Sequence, residues 1–553
     1  VTDPALAPSA ATREHVTRRA PAPRGRDLWS AVVIACTLLP FLASAIRLAA
    51  GAGSGYHPFA DIATIESLVR DVGHHWLLVG PYSRFGWFHP GPALYYLLAV
   101  PYRFSGGSSG SLAFATLCLN AAAVSGILLV ARRRGGRILL LITAVAVLLL
   151  MRSLGAQFLR DPWNPYVTVL PFLLVLFLAW TMACGDRWAL PVSVGVASFV
   201  AQTHVGYAVL VVVLLGAGIV GLIIHERAVR SRAPDVEPSR SWWPTLAVTA
   251  GVVVVLWLPT VVQQLTRDPG NLGEVLEFFG DHGREQQYRD AWHVLALQLD
   301  IWPDWLSGDS ATSVIGTIDF TRALPVPVAL FALGAATVVA WRKRLSEALR
   351  LDGLVLVAIA VSFVSLTRVV DDVYAYLVRW TWPIGTVTWI AIAWSAVVWW
   401  RARERSSPRE QLVARGAAAV LVATFGVVLV VDVLAAARAG TPEPELSATM
   451  GRLGDAASAA LPDGDGAVEL RVRGREGAHW TSAGVVDVLE HHGVDVRVGP
   501  ELEFAYGPHR LANGDRIRAR VVVADESTEA GVRAKPGYRE VAREGDVIVF
   551  VGR

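Results

Sequence analysis

The chain has 553 residues, 53% of them hydrophobic and only 18% charged, with a mean hydropathy of +0.44. That balance excludes a soluble globule, a disordered chain, a collagen and a small disulfide scaffold, and it identifies an integral membrane protein. A net charge of +3 gives no basis for nucleic-acid binding, and Cys36, Cys118 and Cys184 lie in apolar segments where neither a disulfide framework nor a zinc cluster can be built.

In chain order, residues 1–27 are rich in Pro, Ala and Arg and read as a disordered cytoplasmic tail. The apolar run 28–50 ends without a small-residue cleavage pattern, so it is expected to stay as a first span. Further apolar runs cover 112–131, 138–151, 166–184, 188–202, 205–224, 243–262, 324–341, 351–366, 380–400 and 416–437. At about 20 residues per crossing they predict about eleven transmembrane helices in a domain spanning 28–440. Arginine placement orients them. Clusters at 13–26, 132–137, 187, 227–232, 342–344 and 401–409 fall in alternate loops, which places the N-terminus inside and everything after 440 outside.

Two of the outer loops, 51–111 and 265–322, are long enough to carry function. Within the first, 61–72 has apolar residues at helical spacing and should lie along the membrane surface, and 92–104 is too short to cross. From 441 to 553 charge rises and long apolar runs vanish. Strands are expected at 468–472, 494–498, 518–524 and 547–551, with an amphipathic helix 478–492 ended by Gly493, giving a small extracytoplasmic α/β domain. The GAGIVG stretch at 216–221 has dinucleotide-binding spacing but sits inside an apolar span, so helix packing explains it.

Mid-depth charge is scarce in the spans, and polar residues gather at their outer ends. Asp61, Glu66, Arg84, His89, Arg160, Asp161, Gln202, His204, Gln263 and Arg379 are the candidates for one outward-facing polar site. An acidic residue soon after the first span is followed here by an amphipathic helix and then by a turn, His89-Pro90-Gly91-Pro92, that leads into an aromatic helix.

That pattern resembles the first outer loop of GT-C fold glycosyltransferases, most closely the protein mannosyltransferase and aminoarabinose transferase branch. The resemblance implies a multi-pass helical enzyme of the outer face of the cytoplasmic membrane. It would take a polyprenyl-phosphate sugar as donor and a cell-envelope glycan, lipid or protein as acceptor, among membrane lipids and without a nucleic-acid partner. It also implies that Asp61 is the catalytic base, with Asp161 completing a carboxylate pair. Both have a plainer reading, Asp61 as an N-cap and Asp161 as a turn former ahead of Pro162. Arg84, His89, Arg160 and Arg379 are the candidate partners of the donor phosphate, and Glu66, Gln202, His204 and Gln263 candidates for the substrate cavity. Because cationic side chains would receive the leaving phosphate, neither a metal nor an organic cofactor is chemically required. Inversion by single displacement is what the resemblance implies. The alternatives from other classes are a lipid or polysaccharide flippase, which the scarcity of charge within the spans disfavours, and a non-catalytic scaffold.

Overall fold

The computed structural model describes residues 27–51, 55–232, 241–307, 316–321, 324–403 and 407–553. The expected N-terminal tail, and the part of the second long loop at 308–315 and 322, lie outside them.

Each apolar run forms helix. Among the described residues, seven helices are long and apolar enough to cross a membrane, eight if the bent pair Leu28–Thr37 and Leu39–Ala49 is one crossing, and Ala189–Thr203 and Val328–Arg342 are shorter apolar helices. Two predicted runs, 112–131 and 138–151, fall in one 45-residue element, Gly110–Leu154. Gly136 divides it: φ of 71° and ψ of −153° lie in a region that only a residue without Cβ adopts at low cost. Val169–Ala183 is buried along its whole length and is the axis of the bundle. Gly218 and Gly221 of the helix Ala208–Arg232 lie so close to it that an added Cβ would come within 2.6 Å of Met182 or Ala183, the packing role anticipated for GAGIVG. The helices Trp243–Thr266 and Pro408–Arg438 expose rows of valine and leucine, as a surface meant for lipid does.

Over one end of the bundle lie the helices of the long loops. Ala60–Asp71 and Ala93–Phe104 come from the first, and Asn271–Asp281 and Tyr288–Leu299 from the second. The side chain of Asn271 fastens the two loops together. It accepts from the Phe88 N–H at 2.8 Å and donates to the Phe88 carbonyl at 2.9 Å.

The C-terminal region is a five-stranded mixed sheet in the order β2-β1-β3-β5-β4, with β1 Ala467–Arg473, β2 Val496–Val498, β3 Ile517–Asp525, β4 Arg539–Glu544 and β5 Val547–Gly552. Strand β1 runs parallel to β2 and β3, and β5 antiparallel to β3 and β4. Four of the strands and the helix Glu476–His491 match the expectation from sequence. Strand β4 and the helices Pro444–Ala459 and Glu526–Arg533 were not anticipated. Alternation along the strands divides the sheet into two faces. Val468, Leu470, Val521, Val523, Val549 and Val551 pack with Pro444–Ala459 and Glu476–His491, and Val522, Ile548 and Phe550 face Glu526–Arg533. On the first face, the helix Glu476–His491 packs against Ala60–Asp71.

Candidate functional site

The short segment 158–166, between the bundle's long bent helix and its central helix, gathers the candidate site. Asp161 and Arg160 line a cavity of about 60 Å³ together with Tyr56, Gln157, Pro162 and Gly440. Burial pushes the Asp161 carboxyl up to about 6, against the smaller opposing effect of a hydrogen bond from the Trp163 N–H, which donates to Oδ1 at 2.9 Å. That bond is the turn geometry expected of an aspartate two residues before its donor, so the turn-forming role is present.

Trp163 bridges two carboxylates. Its backbone holds Asp161, and its indole Nε1 donates to Asp61 Oδ2 at 2.7 Å, while the Tyr82 hydroxyl donates to Asp61 Oδ1. Asp61 stands in the first turn of its helix, whose N-cap is Phe59 without a side-chain cap bond; the N-cap reading of Asp61 is therefore incorrect.

Arg160 is 3% exposed. Its Nε and Nη2 donate to Gln157 Oε1 at 3.1 and 2.8 Å and Nη2 also to the Gly440 carbonyl, while Nη1 has no hydrogen-bond partner. A guanidinium with one nitrogen unpaired, on a residue that lines a cavity, has hydrogen-bonding capacity left for an anion. Arg379, 2% exposed, lies over the Trp382 ring at 4.4 Å and hydrogen-bonds Tyr166. The Tyr166 ring packs edge-on to Trp163 at 4.9 Å. Arg84 is half exposed, near Asp371 at 3.7 Å and over the Tyr374 ring at 5.1 Å. The charges of Arg84 and Asp61 both act on Tyr376, whose ring meets Trp163 at 4.9 Å. One aromatic layer thus joins Asp61, Asp161, Arg160, Arg379 and, at its rim, Arg84.

Five candidates are placed elsewhere. His89 is buried, its Nδ1 accepts the Val205 N–H at 3.1 Å, and its ring meets His204 at 4.8 Å. Burial first, then the neighbouring His204, hold its pKa well below the usual histidine range. His89 does not line the cavity at Asp161; with its Nδ1 taken by the backbone, it braces the proline turn. His204 accepts the Gly206 N–H at 3.2 Å. Gln202 donates to the Leu256 carbonyl at 2.8 Å and fills the space where Gly91 lacks a side chain. Gln263 accepts the Asn271 N–H at 2.9 Å, tying down the start of the helix Asn271–Asp281. None of the three lines the cavity at Asp161; they brace the proline turn and the loops above it.

Glu66, the fifth, belongs to a buried ionic junction that the sequence did not reveal. It is fully buried and receives the Tyr102 hydroxyl at 3.1 Å and the Ser109 hydroxyl at 3.0 Å. Arg70 reaches Asp487 at 3.0 Å and pairs with Glu490. Arg510 holds Asp71 through two bonds of 2.7 Å and pairs with Glu490, and His509 approaches Asp71 at 2.9 Å. Burial, then Asp487, push the Glu66 carboxyl up; hydrogen bonds to Asp487 and Glu66 carry His491 upward as well. Burial raises Asp71, but the hydrogen bond from His509 and the Arg510 charge outweigh it and keep this carboxyl below its usual range. Among the described residues, Glu66, Asp487 and His491 offer ligand-type atoms within 4.8 Å of one another. Arg70 Nη2 stands among them, 3.0 Å from Asp487 and 3.2 Å from His491, and supplies there the positive charge that an ion would bring.

No protein-family model matches the chain, and no curated protein matches it. Solved structures do. ArnT from Cupriavidus metallidurans bound to undecaprenyl phosphate superposes with a TM-score of 0.54 at 13% identity, covering 95% of this chain and 98% of that one. Its apo state gives 0.52 at 13% identity, covering 95% and 97%. The chain has the GT-C fold of ArnT across nearly its whole length, soluble domain included.

Proposed function

We propose that the protein is a glycosyltransferase that moves a sugar from a polyprenyl-phosphate carrier to a cell-envelope acceptor at the outer face of the membrane, with residues 441–553 on that same side. The observation that carries the proposal is the pair of carboxylates, Asp61 and Asp161, held by one tryptophan, with Asp161 and the buried Arg160, one of whose nitrogens has no partner, lining the same cavity. The shared fold supports it, since the similar ArnT structure is one bound to undecaprenyl phosphate.

In the mechanism, an acceptor hydroxyl oxygen attacks the anomeric carbon as the bond from that carbon to the carrier phosphate breaks. The hydroxyl proton passes to Asp61, acting as general base. Asp161, held up to about 6, is the second proton-accepting group of the pair. The electron pair of the broken bond leaves on the phosphate, whose growing charge Arg160 and Arg379 receive from inside and Arg84 from the rim. Because attack and departure occur in one displacement, the anomeric configuration inverts.

Purified protein incubated with a panel of polyprenyl-phosphate sugars and an envelope extract as acceptor should release free polyprenyl phosphate. Asp61→Asn and Asp161→Asn should each lower that rate by about 10²–10⁴-fold with expression unchanged. Full activity in Asp61→Asn would remove it as the base, and absence of turnover and of binding with every donor would sink the enzyme reading.

A further inference from the structure

The C-terminal sheet carries a second cleft, of about 290 Å³, on the face turned away from the membrane domain. Arg471 and Arg473 of β1, Arg520 of β3, and Lys535 and Tyr538 beyond the helix Glu526–Arg533 converge on it. Strand alternation fixes the side. The even-numbered residues of β1 and the odd-numbered ones of β3 face the helices that pack toward Ala60–Asp71, so Arg471, Arg473 and Arg520 must face outward.

The helix Glu526–Arg533 covers only the part of this face over Val522, Ile548 and Phe550. The rest is left to the cations. Two of the four pair with one buried carboxylate, Glu469, which stands opposite Arg520 across the strands and binds Arg520 at 2.6 Å and Arg471 at 2.8 Å. Among the described residues, Arg473 and Lys535 have no ion-pair partner. The carboxylates nearby are engaged elsewhere. Asp525 caps the helix and accepts the Arg475 N–H, and Glu529 and Glu540 pair with Arg533 and Arg543.

Like charges brought together on one sheet face destabilise it, and nothing in the sheet offsets the excess. Tyr538 adds an apolar wall. Its ring lies against Gly552, where an added Cβ would meet it at 2.7 Å, so the close approach depends on glycine. Guanidinium forks suit phosphate or carboxylate oxygens, and an aromatic wall beside them suits a ligand that also presents a C–H face.

We propose that this cleft is a binding site for an anionic sugar unit, one bearing a phosphate or a carboxylate. Its volume, at the lower end of the range for small-molecule sites, fits one such unit. The site is separate from the cavity at Asp161, and the proposal does not depend on the glycosyltransferase reading.

Titration calorimetry on the purified full chain in detergent at low salt tests it with glucose 1-phosphate, glucuronate, glucose and inorganic phosphate. Glucose 1-phosphate or glucuronate should bind, the stronger of them identifying the anionic group, and glucose should not. The variant carrying Arg473→Ala and Lys535→Ala should weaken that binding at least about tenfold, as loss of charge-assisted hydrogen bonds predicts, with its Tm unchanged. Both side chains are outside the core, so folding should survive. Binding by neither charged sugar, or equal binding by the double variant, would overturn the site. Inorganic phosphate binding as tightly as glucose 1-phosphate would overturn the sugar assignment.

Discussion

The two ends of the helix Ala60–Asp71 show how one element can serve chemistry and anchorage at once. At its start, Asp61 is only partly buried and is held by one indole and one phenol. Further along, Glu66, Ser67, Arg70 and Asp71 are engaged by Asp487, Glu490, His491 and Arg510 of the C-terminal domain. A carboxylate that must take up and release a proton needs unspent bonding capacity around it. A helix that must present it in one place needs the opposite. The contrast assigns the C-terminal domain a task, to clamp the far end so that the near end is positioned without being filled.

The largest effect is expected from breaking the clamp. Arg510 is 5% exposed and joins Asp71 and Glu490, so Arg510→Ala leaves Asp71 with His509 alone and Glu490 with Arg70 alone. Removing one partner of a buried pair costs about 3–5 kcal/mol. Thermal unfolding should fall accordingly and separate into two transitions as the domain loses its hold on the helix. A single, unshifted transition would mean that the clamp is ornamental. At the open end, Trp163→Phe keeps the ring but removes the indole donor to Asp61. A hydrogen bond to a charged group is worth about 1.5–3 kcal/mol, so kcat should drop roughly ten- to hundredfold with donor KM little changed; an effect confined to KM would move Trp163 from positioning to binding.

Much of this contrast was hidden in the sequence for physical reasons. Asp61 is legible because its place after the first span and before the His89-Pro90 turn is a local pattern, and Arg160 and Asp161 because they stand among the polar residues that gather at the ends of the spans. Local hydrophobic periodicity likewise located the apolar helices and the valine-rich strands β1, β3 and β5. By contrast, Arg70 meets Glu490 across 420 residues, and no local spacing encodes such a pairing. Glu66 and Gln263 look like cavity residues as long as their partners are unknown. His89 carries the right residue type, but only the fold shows it buried, with Nδ1 bound to the backbone. Strand β4, REVARE, escaped notice because charges interrupt its apolar positions. Trp163 carries no local signal in the sequence; its role is visible only once both of its N–H groups are traced to carboxylates.

The clamp should also respond to pH. In the folded protein, hydrogen bonds to Asp487 and Glu66 raise the pKa of His491 from 6.5 to about 11. A group whose folded pKa is raised contributes stability that is complete below its unfolded value and is lost as pH rises toward the folded one. Glu66, raised by burial, acts in the same direction from its own lower starting point. Asp71, held low, contributes above its unfolded value and loses that contribution only in acid. Together they place the strongest clamp on the mildly acidic side of neutrality, and Tm should decline between about pH 6.5 and pH 9. His491→Gln should flatten that decline. An unchanged slope would show that His491 does not titrate in the junction.

The smallest expected effect tests the hinge between the two regimes. Ala60, directly before Asp61, has a φ of +49°, a left-handed conformation that costs an L-residue with a Cβ about 1–2 kcal/mol. Such strain persists where the surroundings force it, and here the chain is held on both sides, by the His57 N–H on Ser447 at 2.9 Å and by the bonds to Asp61. Ala60→Gly relieves the strain but enlarges the freedom of the unfolded chain by about 0.5–1 kcal/mol, so the net gain in stability should be within about 1 kcal/mol. If the strain fixes the direction of the Asp61 carboxylate, the glycine variant should be slightly more stable and yet slower in kcat, and Ala60→Asn, which tolerates the same conformation, should keep the rate. Equal rates in all three would confine Ala60 to chain geometry and leave the position of Asp61 to Tyr82 and Trp163 alone.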